Sequence, residues 1–146
     1  MDRIIKDNQR ASRKERGQSL TEMAFSLVIL LLLVGGVVDL GRAFFTFMAL
    51  RDSVQEGALY GSINPTLTEE IRNHVLNSSE MIPNLVSSDD ITVNIIGLPC
   101  TGNGIQVSAL YDDFPITMPF MGAVLGSQTI SISASVTDTI LSPGCQ

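Results

Sequence analysis

The sequence has few of the residues on which enzymatic and metal chemistry depends. In 146 residues there is no tryptophan, two cysteines and a single histidine, His74. Neither a G-x-S-x-G motif nor a glycine-rich phosphate loop is present. Two cysteines and one distant histidine do not complete a tetrahedral metal site. We therefore expect no catalytic residues, no metal site and no cofactor.

Basic residues are nearly absent after the first 17 positions. From Gln18 onward three basic residues accompany twelve acidic ones. A basic arm of this kind binds nucleic acid, or it holds the N-terminus of a membrane segment in the cytoplasm. The apolar run that follows the arm favours the second interpretation, so we expect no nucleic-acid partner. The six basic residues of the arm are Arg3, Lys6, Arg10, Arg13, Lys14 and Arg16.

Charge is absent from Met23 to Val38, a run of 16 mostly aliphatic residues. A membrane-spanning helix needs about 20 apolar residues. The run is therefore interpreted in three ways: as the core of a cleaved signal peptide, as a plain membrane anchor, or as the front half of a longer helix. A signal peptide should be followed by a small-x-small cleavage site, whereas this run continues into an aromatic segment.

Proline is absent before Pro65, so nothing compels a break in a helix from Gln18 to Ser62. About 45 residues at 1.5 Å each give a rod of roughly 68 Å. We expect residues of about 20–40 to span the membrane and residues 41–62 to be amphipathic. The predicted apolar side contains Leu40, Phe44, Phe47, Met48, Val54 and Ala58, and the predicted polar side contains Arg42, Thr46, Asp52, Ser53 and Glu56.

Residues 63–146 have the patterns of a small separate domain. Thr66 and Glu69 have the spacing of a capping box that opens a short helix. Three later segments, 91–96, 105–111 and 129–140, alternate apolar and polar residues, which is typical of strands with one buried face. We therefore predict an α+β fold in which a small antiparallel sheet packs on the rear half of the long helix.

The two cysteines fit this layout. Cys100 follows the first predicted strand and Cys145 follows the third. If the strands run up, down and up, both thiols lie at the same end of the sheet. A Cys100–Cys145 disulfide on the outer side of the membrane would stabilise the domain by about 3–4 kcal/mol.

Residues 112–128 are unusually apolar for a connection between strands. They are interpreted as a flap over the open end of the core or, alternatively, as a contact surface for another subunit. The acidic pairs Asp89-Asp90 and Asp112-Asp113 are better explained as turn residues than as a calcium site.

The N-terminal pattern resembles a known family. Gly17 follows the basic arm, Gln18 begins the helix and Glu22 is the fifth residue after the glycine. This arrangement is similar to the processing site of type IV prepilins and pseudopilins. More narrowly, Glu22-Met23-Ala24-Phe25, Asp39-Leu40-Gly41-Arg42 and the segment 55–61 resemble TadE-like minor pilins of the tight-adherence (Tad/Flp) system. Residues 107–136 are also similar to the C-terminal pattern of that family.

The resemblance implies a fold and a function. It implies a pilin-like fold, with residues 1–17 as a cytoplasmic leader and residues 63–146 outside the membrane. It implies cleavage between Gly17 and Gln18 by a prepilin peptidase. Other implied partners are pilins or pseudopilins, an inner-membrane assembly platform and membrane lipid. The chain would then be a non-enzymatic minor subunit that initiates, tips or regulates a surface-attachment pilus, resident in the cytoplasmic membrane or in the pilus.

The acids at the two ends of the apolar run are expected to differ in role. A charge toward the membrane centre costs about 2.5–3.5 kcal/mol on insertion scales. Cleavage after Gly17 would free an α-amine on Gln18, one helical turn from Glu22. We expect Glu22 to pair with this amine and to set the axial register between subunits. We expect Asp39 to pair with Arg42 where the helix leaves the membrane.

Two alternatives remain open at this point. In the first, the chain is an uncleaved single-pass protein whose outer domain binds an envelope partner. In the second, it is a secreted binding module whose apolar run is removed. The N-terminus of the mature protein distinguishes them: it would be Gln18 for a pilin, residue 1 for an anchor, and a residue beyond Val38 for a secreted module.

Overall fold

A computed structural model describes residues 2–78, 80–119 and 121–144, with only the backbone of residues 2–17 and 125. The helix α1 runs without a break from Asp2 to Ile63, so it begins before Gln18. It ends one residue before Asn64-Pro65, where the proline predicted a stop. Among the described residues, α1 is the one helix long and apolar enough to cross a membrane, with a mean hydropathy of 2.5 in its most apolar window.

The helix α2 covers Thr68–Asn77 and packs against the rear of α1. The capping box predicted at Thr66 and Glu69 is wrong, because the helix starts at Thr68 and Leu67 precedes it without a side-chain cap. Ile71 and Val75 are buried, whereas Leu67 is exposed. Two short 3₁₀ segments, Ile82–Asn84 and Ser88–Asp90, connect α2 to the sheet.

Three strands form an antiparallel sheet in the order β1-β2-β3, as the alternating segments predicted. The strands are β1 at Ile91–Ile96, β2 at Gly104–Pro115 and β3 at Thr129–Thr139. The strand β2 is longer than predicted. Its register with β3 shifts between Tyr111 and Phe114, and the pairing then resumes with Phe114 opposite Ile130. Asp112 and Asp113 lie at this shift and interrupt the alternation of apolar and polar residues, so the predicted strand ended at residue 111.

The connection between β2 and β3 is therefore shorter than the predicted flap. Phe114 is buried in the core and Pro115 still pairs with Thr129. After Pro115 the chain runs along α1, and it then forms the short helix α3 at Met121–Leu125. The segment of residues 116–127 is called the β2–β3 segment below.

The core lies between the rear half of α1, the helix α2 and one face of the sheet. Its fully buried side chains include Leu50, Ile71, Ile105, Val107 and Ile140. The alternation is seen in β2, where residues 105, 107 and 109 are buried, whereas Ile95 in β1 and Ile130 in β3 are exposed. The α+β fold with a long apolar N-terminal helix is thus as predicted.

The predicted amphipathic sides of α1 are partly wrong. Thr46 and Ser53, placed on the polar side, are buried, whereas Leu40 and Phe44, placed on the apolar side, are exposed. The reason is size: small side chains let the sheet approach α1 closely. The Ser53 hydroxyl is satisfied within the helix because it donates to the carbonyl of Ala49 at 2.9 Å.

Candidate functional site

Asp39 lies at the centre of a contact between α1 and the β2–β3 segment. It follows the uncharged run directly and is buried, with 8% of its surface exposed. Its Oδ1 accepts hydrogen bonds from the Thr117 hydroxyl and from the Thr117 amide at 3.1 Å. Its Oδ2 accepts a hydrogen bond from the Met118 amide at 2.7 Å. The carboxylate therefore holds a segment 78 residues away in sequence from the end of the apolar run.

Arg42 completes this contact one helical turn further on. Its Nη1 lies 3.2 Å from Asp39 Oδ1, as the spacing predicted, and donates to the carbonyl of Pro115 at 3.5 Å. Its guanidinium carbon lies 5.3 Å from the centroid of the Phe114 ring, within the range of a cation–π contact. Arg42 thus contacts the same part of the chain as Asp39, and the pair joins α1 to the end of β2.

Met118 continues the contact toward the N-terminus of α1. A Cβ added at Gly36 would lie 3.6 Å from Met118 Sδ, and one added at Gly35 would lie 4.0 Å from its Cγ. The thioether therefore rests on the Gly35-Gly36 pair, beside a shallow apolar cleft that includes Leu33 and Val37. The sequence pattern predicted Asp39 and Arg42. It did not predict Thr117 and Met118, because only the fold brings these two residues to α1.

A second close contact joins α1 to α2 and to β2. A Cβ added at Gly57 would lie 2.3 Å from Val75 Cγ2, and one added at Gly61 would lie 2.7 Å from Ile105 Cδ1. Between these glycines, the Tyr60 ring stacks on His74 with centroids 3.9 Å apart. The Tyr60 hydroxyl donates to Glu70, and this hydrogen bond raises the pKa of Tyr60 above 10.0. The small residues of segment 55–61 therefore have a packing role.

The predicted processing residues lie far from this domain. Gly17 lies within α1, in the part of the helix for which only the backbone is described. Gln18 and Glu22 are exposed, and their carbonyls accept hydrogen bonds from Thr21 and Ser26. Glu22 takes part in neither of the two ion pairs formed within the described residues.

Of the two cysteines predicted to form a disulfide, the structure describes Cys100, which follows β1. Cys100 is buried, whereas Cys145 is outside the described residues. The amide and hydroxyl of Thr101 both donate to the carbonyl of Pro143, at 2.8 and 2.9 Å. The chain thus returns to the neighbour of Cys100 two residues before Cys145.

The acidic pair Asp89-Asp90 is part of a turn. The Asp90 carboxylate accepts hydrogen bonds from the Ser87 amide at 2.8 Å and from its hydroxyl at 2.7 Å. These two hydrogen bonds hold the pKa of Asp90 below its ordinary value of 3.8, and the bond from the Ser87 amide has the larger effect. Among the described residues, no group of three His, Cys, Asp or Glu side chains is placed to hold a metal ion.

Comparison with known proteins adds one positive finding. Neither the curated proteins nor the solved structures contain a match to this chain. A family model described as TadE-like protein matches residues 17–59. The matched region begins at Gly17 and contains Glu22, the Asp39–Arg42 pair and Gly57. The N-terminal part of this chain thus matches the TadE-like family, as the sequence predicted, and this match suggests a protein associated with Tad pili.

Proposed function

We propose that this protein is a minor pilin or pseudopilin of a Tad-type pilus, acting in assembly, initiation or at the tip. The observation that carries the proposal is the apolar surface of α1 that stays exposed after the C-terminal domain has packed on it. Leu40 and Phe45 are each 72% exposed, and Phe44 is 58% exposed. Large aromatic side chains in such positions are typical of contact surfaces.

The length of this surface favours protein partners in addition to lipid. Exposed large apolar residues begin at Leu20 and continue through Phe47, with Leu59 and Ile63 beyond them. From Leu20 to Phe47 an α-helix extends roughly 40 Å, longer than the roughly 30 Å of a bilayer core. Packing among similar helices of other subunits would cover the part that lipid leaves exposed.

The segments of the chain fit this role in order. Residues 1–17 would be the cytoplasmic leader, because their basic residues favour retention on the inside. Residues of about 20–40 would span the cytoplasmic membrane, and the domain of residues 63–146 would lie outside. There a Cys100–Cys145 disulfide would fix the C-terminus, a role supported by the Thr101–Pro143 contacts.

Processing would follow from the N-terminal pattern. A prepilin peptidase would cleave between Gly17 and Gln18, and Glu22 would then face the new α-amine one turn away. The other partners would be pilins or pseudopilins and the inner-membrane assembly platform. No catalytic residue, cofactor or nucleic acid enters this proposal.

The experiment is an intact-mass measurement on the protein isolated from cells that contain the matching prepilin peptidase. We expect a mature chain that starts at Gln18, with or without loss of ammonia from that residue, and an uncleaved chain for Gly17→Val. A mature chain starting at residue 1 would support the uncleaved membrane anchor instead. A start beyond Val38 would support a secreted module.

A further inference from the structure

The β2–β3 segment lies at the depth of the apolar run of α1. Met118 rests on Gly35 and Gly36, which precede Asp39, the first charged residue after Glu22. At 1.5 Å per residue, these glycines lie about 4–6 Å inside Asp39 along the helix axis. When α1 spans a bilayer, the β2–β3 segment is therefore at the boundary between headgroups and acyl chains.

The composition of the segment suits that depth. Residues 116–127 contain no charged side chain and include Ile116, Met118, Met121 and Val124. Val124, on the short helix α3, is 77% exposed. Met118 itself lines a shallow apolar cleft together with Leu33 and Val37 of the exposed span of α1.

Hydrogen bonds within the segment lower the cost of leaving water. Gln128 Nε2 donates to the carbonyls of Ile116 at 2.7 Å and Met118 at 3.2 Å, and its Oε1 accepts from the Gly122 amide at 3.0 Å. The Gln128 carbonyl accepts from the Ile116 amide at 2.9 Å. The Asp39 carboxylate accepts hydrogen bonds from the next two amides, those of Thr117 and Met118. Backbone groups satisfied in this way tolerate a lipid environment that unsatisfied groups do not.

We infer that the β2–β3 segment is a membrane-interface element, which inserts α3 into the headgroup–acyl boundary of the bilayer beside α1. Asp39 fastens this element to the helix and so fixes how the C-terminal domain sits on the membrane surface. The inference requires α1 to span the bilayer. It does not depend on cleavage after Gly17 or on assembly into a pilus.

The absence of native tryptophan makes a direct depth measurement possible. Single-tryptophan variants of the full chain would be reconstituted in phosphatidylcholine–phosphatidylglycerol vesicles, with and without acyl-chain-brominated lipid. Val124→Trp tests the β2–β3 segment, and Leu31→Trp, at a 59% exposed position within the span, is the positive control. Leu98→Trp, at a 64% exposed position near the far end of the sheet, is the matched aqueous control.

We expect brominated lipid to quench V124W at least about half as strongly as L31W, while L98W keeps its full fluorescence. Quenching of V124W no greater than that of L98W would overturn the inference. Blue-shifted but unquenched V124W emission would overturn it in favour of a protein partner. Unquenched L31W would show that α1 does not span the bilayer, which would also overturn the inference. The intact-mass measurement of the N-terminus would still test the proposed function separately.

Discussion

At the residue scale, Asp39 shows how a carboxylate is accommodated at the edge of an apolar helix. Its two oxygens accept hydrogen bonds from two backbone amides and one hydroxyl, and Arg42 pairs with it. Charge-assisted hydrogen bonds of this kind are stronger than neutral ones. Asp39 therefore connects the end of the apolar run to the C-terminal domain.

Replacing this carboxylate should loosen the β2–β3 segment without unfolding α1. In the wild type, donors bind both carboxylate oxygens of Asp39. Asp39→Asn leaves one acceptor oxygen and removes the charge. We expect the amides of Thr117 and Met118 to exchange with deuterium severalfold faster, measured by hydrogen-exchange mass spectrometry. Asp52→Asn, at an exposed position on the same helix, is the control and should leave these amides unchanged. Equal protection in D39N and wild type would contradict the role of Asp39.

Asp90 should make the stability of the domain depend on pH in the acidic range. Ser87 lowers the pKa of Asp90, so the folded state binds this proton less readily than the unfolded state. The contribution is therefore complete above the ordinary pKa of 3.8 and is lost as pH falls through the lower folded pKa. In urea unfolding at several pH values, we expect the difference between wild type and Asp90→Asn to shrink as the pH falls below this range. A difference independent of pH for D90N would refute the assignment.

At the element scale, α1 uses its two sides for different purposes. The side that faces the domain carries small residues such as Ser53, Gly57 and Gly61, all buried. The opposite side carries exposed aromatic residues such as Phe44 and Phe45, whose rings make an edge-to-face contact at 6.3 Å. A hydrophobicity pattern alone assigns these sides the wrong way round in places, because close packing here depends on small size.

Gly57 provides the sharpest test of this packing. In Gly57→Ala the new methyl group would lie 2.3 Å from Val75 Cγ2, so the Val75 side chain or α2 as a whole must shift. Overpacking of this kind typically costs about 1–3 kcal/mol. We expect a lower thermal midpoint for the detergent-solubilised chain, measured by circular dichroism. For a domain of this size, each kcal/mol corresponds to roughly 4–8 °C.

Gly41→Ala is the matched control on the same helix, since nothing lies within 4 Å of its added Cβ. Alanine favours a helix over glycine by up to about 1 kcal/mol, so the control should be neutral or slightly stabilised. If G57A were no less stable than G41A, the close approach of α1 and α2 would not be a constraint on the fold.

Sequence patterns predict the elements better than they predict the contacts between them. The proline at position 65 and the alternation in 91–96 and 129–140 predict where α1 ends and where β1 and β3 lie, because these signals are local. The bonds from Thr117 and Met118 to Asp39 depend on how β2 extends past its register shift. No local pattern encodes that geometry, so the sequence predicted Asp39 and its ion pair but not its main partners.

At the scale of the whole molecule, the two acids that flank the apolar run of α1 differ in which groups pair with them. Asp39 is satisfied within the chain, whereas Glu22 is exposed and forms no ion pair with the other described residues. A charge without an internal partner near a membrane core is costly unless another group pairs with it. In our proposal that group is the α-amine of Gln18, either of the same subunit or of a neighbour after cleavage. If Gln18 cyclises, a neighbouring cation would have to replace the amine.

This difference leads to a prediction about assembly. Glu22→Ala removes the proposed partner of the amine, so we expect the variant to be cleaved and to remain in the membrane but to enter pili at a small fraction of the wild-type level. Quantitative mass spectrometry of sheared pili and of the membrane fraction measures both pools. Glu22→Gln should behave like Glu22→Ala, because it keeps the shape and loses the charge.

Glu56→Ala provides the control, since Glu56 is an exposed acid on the same helix outside the apolar run. Its incorporation should equal that of the wild type if the position of the charge matters and the total charge does not. Unchanged incorporation of E22A would rule out Glu22 as the residue that sets the register between subunits. Loss of incorporation in E22A with normal incorporation in E22Q would assign the role to the shape of the side chain, and the proposed charge pairing would then be wrong.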